Sequence, residues 1–186
     1  MRVLGISGSL RTDSHNRKLL RAAGELLPDD VEFEIWDGLK AVPPYDQDDD
    51  VTPAPPAVAA LRDAIAGADA VLFATPEYNS SIPGVLKNAI DWASRPLATN
   101  VLRNKPVAVI GASTGMFGAV WAQAELRKVL AATGARVLDA EVPVGHCATR
   151  FDEDGALTDE NVRARLAEVV GELVGETGRV RVAVAA

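Results

Sequence analysis

The segment "RVLGISGSLRTDSHN", residues 2–16, joins a short apolar run to a turn rich in glycine and hydroxyl side chains, and then to the start of an amphipathic pattern. The apolar run over residues 2–6 predicts a buried β-strand. Over residues 14–27, apolar side chains recur at spacings of one, three and four, which predicts a helix with one buried face. A strand followed directly by a helix is the repeating unit of parallel α/β sheets.

The same alternation continues along the chain. Further strands are predicted over residues 31–36, 70–75, 107–111 and 135–142, and further helices over residues 56–66, 84–95, 118–132 and 160–174. The strands are short and almost continuously apolar, which is typical of a parallel sheet with helices on both faces. In such a sheet, ligands bind at the carboxyl ends of the strands.

Length and composition indicate a single globular domain over residues 1–186 with a tail from about residue 176, of which the terminal "RVRVAVAA", residues 179–186, is either frayed or an added edge strand. Every apolar run is shorter than the roughly 20 residues of a membrane helix, and the N-terminus lacks a signal-peptide pattern, so we expect a cytoplasmic protein without membrane contact. Cys147 is the only cysteine, which excludes an intramolecular disulfide. The formal net charge of -7 argues against nucleic-acid binding.

The turn after the first strand concentrates groups that bind anions. A helix that begins near Ser14 offers unpaired backbone N–H groups and the positive end of its dipole. Arg11 can form charge-assisted hydrogen bonds, which are about twice as strong as neutral ones. The turn also contains the polar side chains of Ser7, Ser9, Thr12, Ser14 and Asn16. A helix cap is the simpler interpretation, but a cap needs only one such residue. Because the Walker motif and the G-x-G-x-x-G fingerprint are both absent, a terminal monophosphate fits this turn better than a pyrophosphate.

Two further loops follow strands at the same predicted edge of the sheet. "ATPEYNSSIPG", residues 74–84, contains the flat ring of Tyr78 and two prolines that restrict the loop. "GASTGMFG", residues 111–118, contains three glycines that permit unusual backbone angles. Together the three loops predict a pocket with a phosphate end, an aromatic wall and backbone donors, which is the shape of a flavin site.

The segments "GSLRTDSHNRKLL", "PEYNSSIPGVLKNAIDW" and "GASTGMFG", the last followed by "AQAELRKVL", resemble the NAD(P)H-dependent FMN reductase family, which includes quinone, chromate and azo-compound reductases. The resemblance extends from residue 3 to about residue 173. It implies a flavodoxin-like α/β fold with three α/β/α layers, in which a five-stranded parallel sheet has the strand order 2-1-3-4-5. It also implies FMN as cofactor and NAD(P)H as co-substrate.

The resemblance also assigns site residues. It implies that Ser9, Arg11, Ser14 and Asn16 hold the FMN phosphate, and that Pro76, Glu77, Tyr78 and Asn79 line the isoalloxazine ring. Ser113 and Gly115 would close the other side of the ring. The family often has arginine where this chain has Trp121, before Ala122, which affects the expected subunit contacts more than the flavin site.

The expected function is a two-electron hydride transfer from NAD(P)H through FMN to quinones or other small acceptors such as flavins, chromate or azo compounds. No catalytic residue is assigned, because the coenzyme brings the hydride and protons can come from water. His146 and Cys147 are too few to hold a metal, and none is expected. The alternatives are a flavodoxin-type one-electron carrier, an FMN-binding redox sensor, or a dehydrogenase that uses Asp37 at the end of the second strand.

The family forms dimers through the helices after strands three and four, so we expect a homodimer or a tetramer built from it. Trp92 and Trp121 lie on those helices and either anchor an interface or pack in the core. His15 is expected to be an exposed helix residue. The preferred coenzyme and the physiological acceptor are not readable from the sequence.

Overall fold

In a computed structural model, the backbone of residues 1–185 and the side chains of residues 1–178 are described. The strands are β1 (Arg2–Ser7), β2 (Glu32–Trp36), β3 (Ala70–Thr75), β4 (Pro106–Ala112), β5 (Arg136–Val137) and β6 (Pro143–Val144). The helices are α1 (His15–Glu25), α2 (Pro56–Ala66), α3 (Gly84–Ala93), α4 (Val120–Ala132) and α5 (Glu160–Ala185). Short 3₁₀ turns occur at Gly38–Ala41, Gln47–Asp49 and Cys147–Thr149.

All of these strands pair in parallel in the order β2-β1-β3-β4-β5, with β6 also pairing with β4. The predicted strand order is therefore confirmed. Every residue of β3 and β4 is buried, as expected for central strands covered on both faces. Leu72 belongs to a core shared with α1 and α5, whereas its neighbour Phe73 belongs to a core shared with α2, α3 and α4. The sheet is thus the middle of three layers.

The predicted fifth strand over residues 135–142 is not continuous. Val107 pairs with Val137 and Gly111 pairs with Pro143, so that between these pairs three residues of β4 face five of the neighbouring segment. The two extra residues push the segment between β5 and β6 out of the ladder. The buried side chain of Gln123 accepts a hydrogen bond from the Val142 N–H at 3.1 Å, which pairs one backbone group in this bulge.

Helix α5 is longer than predicted and continues to Ala185 instead of ending near residue 174. The alternative of an added edge strand is therefore wrong for residues 179–185, which are helical. Ala186, the last residue of that prediction, lies outside the described residues. None of the helices within residues 1–185 combines the length and apolar character needed to cross a bilayer.

The long loop after β2 is held against α3 by hydrogen bonds to one backbone carbonyl. The Trp92 indole N–H and the Asn88 amide donate to the Pro43 carbonyl at 2.9 and 2.8 Å. The Tyr45 N–H in turn donates to the Asn88 side-chain oxygen at 2.7 Å. Trp92 is fully buried, so core packing, rather than exposure at an interface, is its role in this chain.

Candidate functional site

A cavity of ≈ 150 Å³ opens at the carboxyl ends of β1, β3 and β4, where the three loops identified in the sequence meet. Of the predicted site residues, all but Asn79 and Gly115 line it. The lining consists of Ser9, Arg11, Ser14, His15, Asn16, Pro76, Glu77, Tyr78, Ala112, Ser113, Thr114 and Cys147. The topology explains the meeting point, because β1, β3 and β4 are neighbours in the sheet and their ends lie side by side.

Unpaired donors are concentrated at the β1 end of the cavity. Ser14 is the N-cap of α1, and its hydroxyl oxygen accepts the Arg17 N–H at 3.3 Å, which leaves the hydroxyl proton to donate elsewhere. The first N–H groups of α1 have no intrahelical acceptor. Arg11 is exposed and makes no hydrogen bond or ion pair with the described residues. This end of the cavity therefore suits an anion.

Asn16 lines the cavity, but both halves of its amide are engaged with β4. Its Nδ2 donates to the Ala112 carbonyl at 2.9 Å, and its Oδ1 accepts the Ala112 N–H at 2.9 Å. Asn16 is 3% exposed, so these are buried hydrogen bonds. Its main contribution is to fix the start of α1 against the end of β4, and one N–H of the amide remains for another partner.

Glu77, in the loop after β3, caps helix α4. One of its carboxylate oxygens accepts the N–H groups of Trp121 and Ala122, both at 3.1 Å. Ala119, the N-cap position of α4, has no side-chain oxygen that could do so. A carboxylate is favourable here because it meets unpaired N–H groups at the positive end of the helix dipole. The loops after β3 and β4 are thereby tied together.

A tight turn places Tyr78 at the rim of the cavity. Tyr78 and Ser81 exchange two backbone hydrogen bonds of 3.0 and 3.1 Å. Between them, Asn79 and Ser80 both have positive φ, 54° and 59°, as in a type I′ turn. Asn79 therefore lies at the exposed tip of this turn, while Tyr78 is 51% exposed.

The loop after β4 is held by the segment after β6. Ser113 Oγ accepts the Gly115 N–H at 3.1 Å, and the Ser113 carbonyl accepts the Cys147 N–H at 3.1 Å. The Gly115 carbonyl accepts the His146 N–H at 3.0 Å. Gly118 has φ +62°, and a Cβ there would lie 2.5 Å from the Pro143 carbonyl carbon, so this close approach requires glycine. Gly115 thus supports the loop beside the cavity.

Four lining residues were not predicted as part of the site: His15, Ala112, Thr114 and Cys147. His15, expected to be exposed, is half-buried and stacks on Phe151, with ring centroids 5.9 Å apart. Its Nδ1 is buried without a hydrogen-bond partner, and burial lowers the pKa of the imidazole. Nothing in the local sequence indicates this placement, because Phe151 is distant along the chain.

Cys147 forms part of the cavity wall as a buried thiol. Burial raises its pKa, which favours the protonated form and disfavours a nucleophilic role. Within residues 1–178, no group of three or more His, Cys, Asp or Glu side chains is arranged to hold a metal ion.

The chain is similar to a known protein family and to several known proteins. The profile of the NADPH-dependent FMN reductase family matches residues 1–149. The chain is 45% identical over 164 residues to the NAD(P)H-dependent FMN reductase of Pseudomonas aeruginosa, covering 88% of each. It is 41% identical over 167 residues to the 2-hydroxy-1,4-benzoquinone reductase of a Burkholderia species, covering 89% of this chain and 90% of that one.

A solved structure is similar over nearly the whole length. FerB from Paracoccus denitrificans, a flavoenzyme NAD(P)H:(acceptor) oxidoreductase, superposes with a TM-score of 0.84 at 39% identity and covers 96% of this chain and 97% of its own. The family profile, the relatives and the fold agree with the resemblance found in the motifs. The chain therefore belongs to the NADPH-dependent FMN reductase family, a family of oxidoreductases.

Proposed function

We propose that this chain binds FMN in the cavity and reduces quinones or other small acceptors with NAD(P)H, two electrons at a time. The observation that carries the proposal is the division of the cavity, which has unpaired donors at its β1 end and a flat, partly exposed aromatic residue at its rim. The names of the similar reductases support the same reaction class.

The residues present fit FMN. In the proposal, the phosphate lies at the N-terminus of α1, where Ser14 donates its hydroxyl proton and Arg11 supplies the charge-assisted hydrogen bond. Ser9 lies beside them in the lining. Asn16 contributes its one remaining N–H. The unpartnered Nδ1 of His15 is a further polar atom at this end that a bound ligand could satisfy.

The isoalloxazine ring, in the proposal, lies between the loops after β3 and β4. Pro76 and Tyr78 supply flat apolar contacts on one side, and the Ser113 segment supplies the other boundary. Asn79 and Gly115 act through the conformation of these loops, since they lie beside the lining instead of in it. Glu77 keeps the two loops at a fixed separation through its hydrogen bonds to α4.

When bound, FMN supplies a hydride acceptor that can later reduce a second substrate. The task of the protein is to position the reactants, because near-attack geometry alone lowers the barrier substantially. The exposed rim around Tyr78 leaves room for a coenzyme or a quinone to approach. No side chain needs to act as a general base, and the high pKa of buried Cys147 fits a structural thiol. We propose quinones as the main acceptors, with flavins, chromate and azo compounds as further possibilities.

Anaerobic reduction tests this function. FMN-loaded protein should be yellow, NAD(P)H should bleach it, and 1,4-benzoquinone should restore the colour with one coenzyme consumed per hydroquinone formed. Asn161→Ala, a change at an exposed residue outside the lining, serves as a matched control and should behave as wild type. Failure to bind FMN would contradict the proposal, and a stable radical without coenzyme oxidation would favour the one-electron carrier.

We also propose that the protein is a cytoplasmic homodimer, or a tetramer made of two such dimers. Support comes from an exposed apolar group beside the cavity, formed by Met116, Phe117 and Trp121, which are 63%, 54% and 48% exposed. Phe117 and Trp121 meet edge to face with ring centroids 4.9 Å apart. Exposed apolar groups of this kind mark interaction sites. Trp121→Ala should shift the protein toward monomer in size-exclusion chromatography, and a wild-type protein that is monomeric at high concentration would refute the assignment.

A further inference from the structure

A second cavity, of ≈ 380 Å³, lies on the other side of the loop that follows β1. We call it the basic cavity because its lining contains four cationic side chains, Arg11, Arg17, Arg21 and Lys40, and a single carboxylate, Asp37. The chain as a whole has a formal net charge of -7, so this excess of positive charge is local. A cavity of this charge attracts an anionic ligand.

The carboxylate in the basic cavity is already paired. Arg17 contacts both oxygens of Asp37, with one N–O distance of 2.9 Å, and this hydrogen bonding lowers the pKa of Asp37 and raises that of Arg17. Arg21 and Lys40 are exposed and make no hydrogen bond or salt bridge with the described residues. Two cations of the basic cavity thus remain available to a ligand.

The basic cavity also offers a flat apolar surface. The ring of Trp36 is part of the lining and packs against Gly38, where a Cβ would lie 2.4 Å from ring atom Cζ2. The ring is therefore held in place by backbone. A fixed indole beside free cations suits a ligand that combines an aromatic base with a phosphate.

We propose that the basic cavity binds the adenosine end of NADPH, with Arg21 and Lys40 contacting its 2′-phosphate and Trp36 contacting its base. This proposal rests on the proposed function. The two cavities adjoin at Ser9 and Arg11, so a dinucleotide whose nicotinamide lies at the flavin ring can extend past the FMN phosphate into the basic cavity. In Rossmann dinucleotide sites, whose glycine fingerprint this chain lacks, an acid after the second strand accepts a hydrogen bond from the ribose of NAD, whereas an arginine there accommodates the 2′-phosphate of NADP, and we apply this rule here by analogy. Asp37 is occupied by Arg17, so the second arrangement applies and NADPH is favoured over NADH.

Steady-state kinetics of FMN-loaded enzyme with 1,4-benzoquinone test the proposal. Arg21→Ala and Lys40→Ala should each raise the KM for NADPH roughly fivefold, because each removes a charge-assisted contact, while the KM for NADH stays within about twofold. Asp37→Asn should act in the opposite direction and lower the KM for NADPH, because it frees Arg17. The matched control, Arg103→Ala, removes an exposed cation outside both cavities and should change neither value.

A binding measurement separates this proposal from the reductase function. Calorimetry should show that adenosine 2′-monophosphate binds the wild type and that its affinity for Arg21→Ala is about fivefold lower, whether or not the enzyme turns over. Equal effects of the variants on NADH and NADPH, or a loss of FMN affinity in Arg21→Ala, would overturn the assignment. Binding of inorganic phosphate without any discrimination between the coenzymes would overturn it as well. If neither coenzyme reduces the flavin but the binding of adenosine 2′-monophosphate still depends on Arg21, then the reductase function fails and the anion site stands.

Discussion

The two ends of the candidate flavin cavity are built in opposite ways. At the β1 end, Arg11 and the Ser14 hydroxyl proton are left free for a ligand. At the end formed by the loops after β3 and β4, the Glu77 carboxylate is engaged with the N–H groups of Trp121 and Ala122, and this end has no cationic side chain in the lining. The β1 end can therefore bind an anion through Arg11, while the other end binds mainly through the shape of loops that Glu77 holds in place.

This difference separates affinity for the phosphate from affinity for the ring. Substitutions at the β1 end should weaken the binding of FMN but not that of riboflavin, which lacks the phosphate. Substitutions at the other end should affect both flavins alike. Asn16, whose amide connects the start of α1 to the end of β4, links the two ends and should have the largest effect of all.

Asn16→Ala should lower the free energy of unfolding of the apoprotein by about 2–4 kcal/mol, because it removes two buried hydrogen bonds and leaves the Ala112 N–H and carbonyl unpaired. Urea unfolding measures this effect. Asn161→Ala at an exposed position should change the same quantity by less than about 0.5 kcal/mol. A loss of FMN affinity with no loss of stability would instead make Asn16 chiefly a phosphate ligand, as the family resemblance implied.

Arg11→Ala should weaken FMN binding about tenfold, since a charge-assisted contact to the phosphate is worth about 1.5–3 kcal/mol before screening by solvent at this exposed position. The dissociation constant from fluorescence titration is the measurement. Riboflavin is the internal control and should bind wild type and variant equally. If both flavins lose affinity to the same extent, Arg11 does not contact the phosphate and the contrast between the two ends fails.

Glu77→Ala should destabilise the protein by about 1 kcal/mol, which is the usual effect of losing a helix cap. It should also weaken the binding of FMN and of riboflavin by the same factor. Glu77→Gln is the matched control, because its amide oxygen can still accept the N–H groups of Trp121 and Ala122. It should keep most of the stability. Selective weakening of FMN in Glu77→Ala would show that the carboxylate acts on the phosphate end, contrary to its observed contacts.

The same contrast explains what the sequence could predict. The strand order and the meeting of the three loops were predictable, because apolar runs alternating with amphipathic helices determine a parallel sheet and its ligand-binding edge. The position of Arg11 and Ser14 at the cavity was predictable as well, because both lie in the glycine-rich turn that follows β1 at this edge.

Other features depend on partners that are distant along the chain. The cap that Glu77 provides to α4, the bridge between Asn16 and Ala112, and the stacking of His15 on Phe151 each join segments that no local pattern relates. The break in the fifth strand arises from the register of β4 against its neighbour, which composition does not reveal. The sequence alone therefore suggested direct flavin contacts for Asn16 and Glu77 and an exposed position for His15, and it did not indicate these distant partners.

The pH dependence of stability tests whether His15 belongs to the phosphate end. Burial lowers the pKa of His15 in the folded state below its ordinary value of about 6.5, and nearby Lys18 and Arg11 add to this, while Asp13 opposes it. As the pH falls through that range, the unfolded chain binds more protons than the folded one, so the free energy of unfolding decreases. His15→Phe keeps a ring against Phe151 and removes the titration. Urea unfolding of the apoprotein between about pH 7.5 and pH 5.5 should therefore show a steeper loss in wild type than in the variant.

Saturating FMN should reduce this difference between wild type and His15→Phe, because a phosphate near the imidazole stabilises its protonated form. This is the smallest of the expected effects, since His15 is only half-buried. A difference that FMN leaves unchanged would place the phosphate away from His15. Ser14 would then serve mainly to cap α1, and the assignment of the phosphate to this end of the cavity would fail.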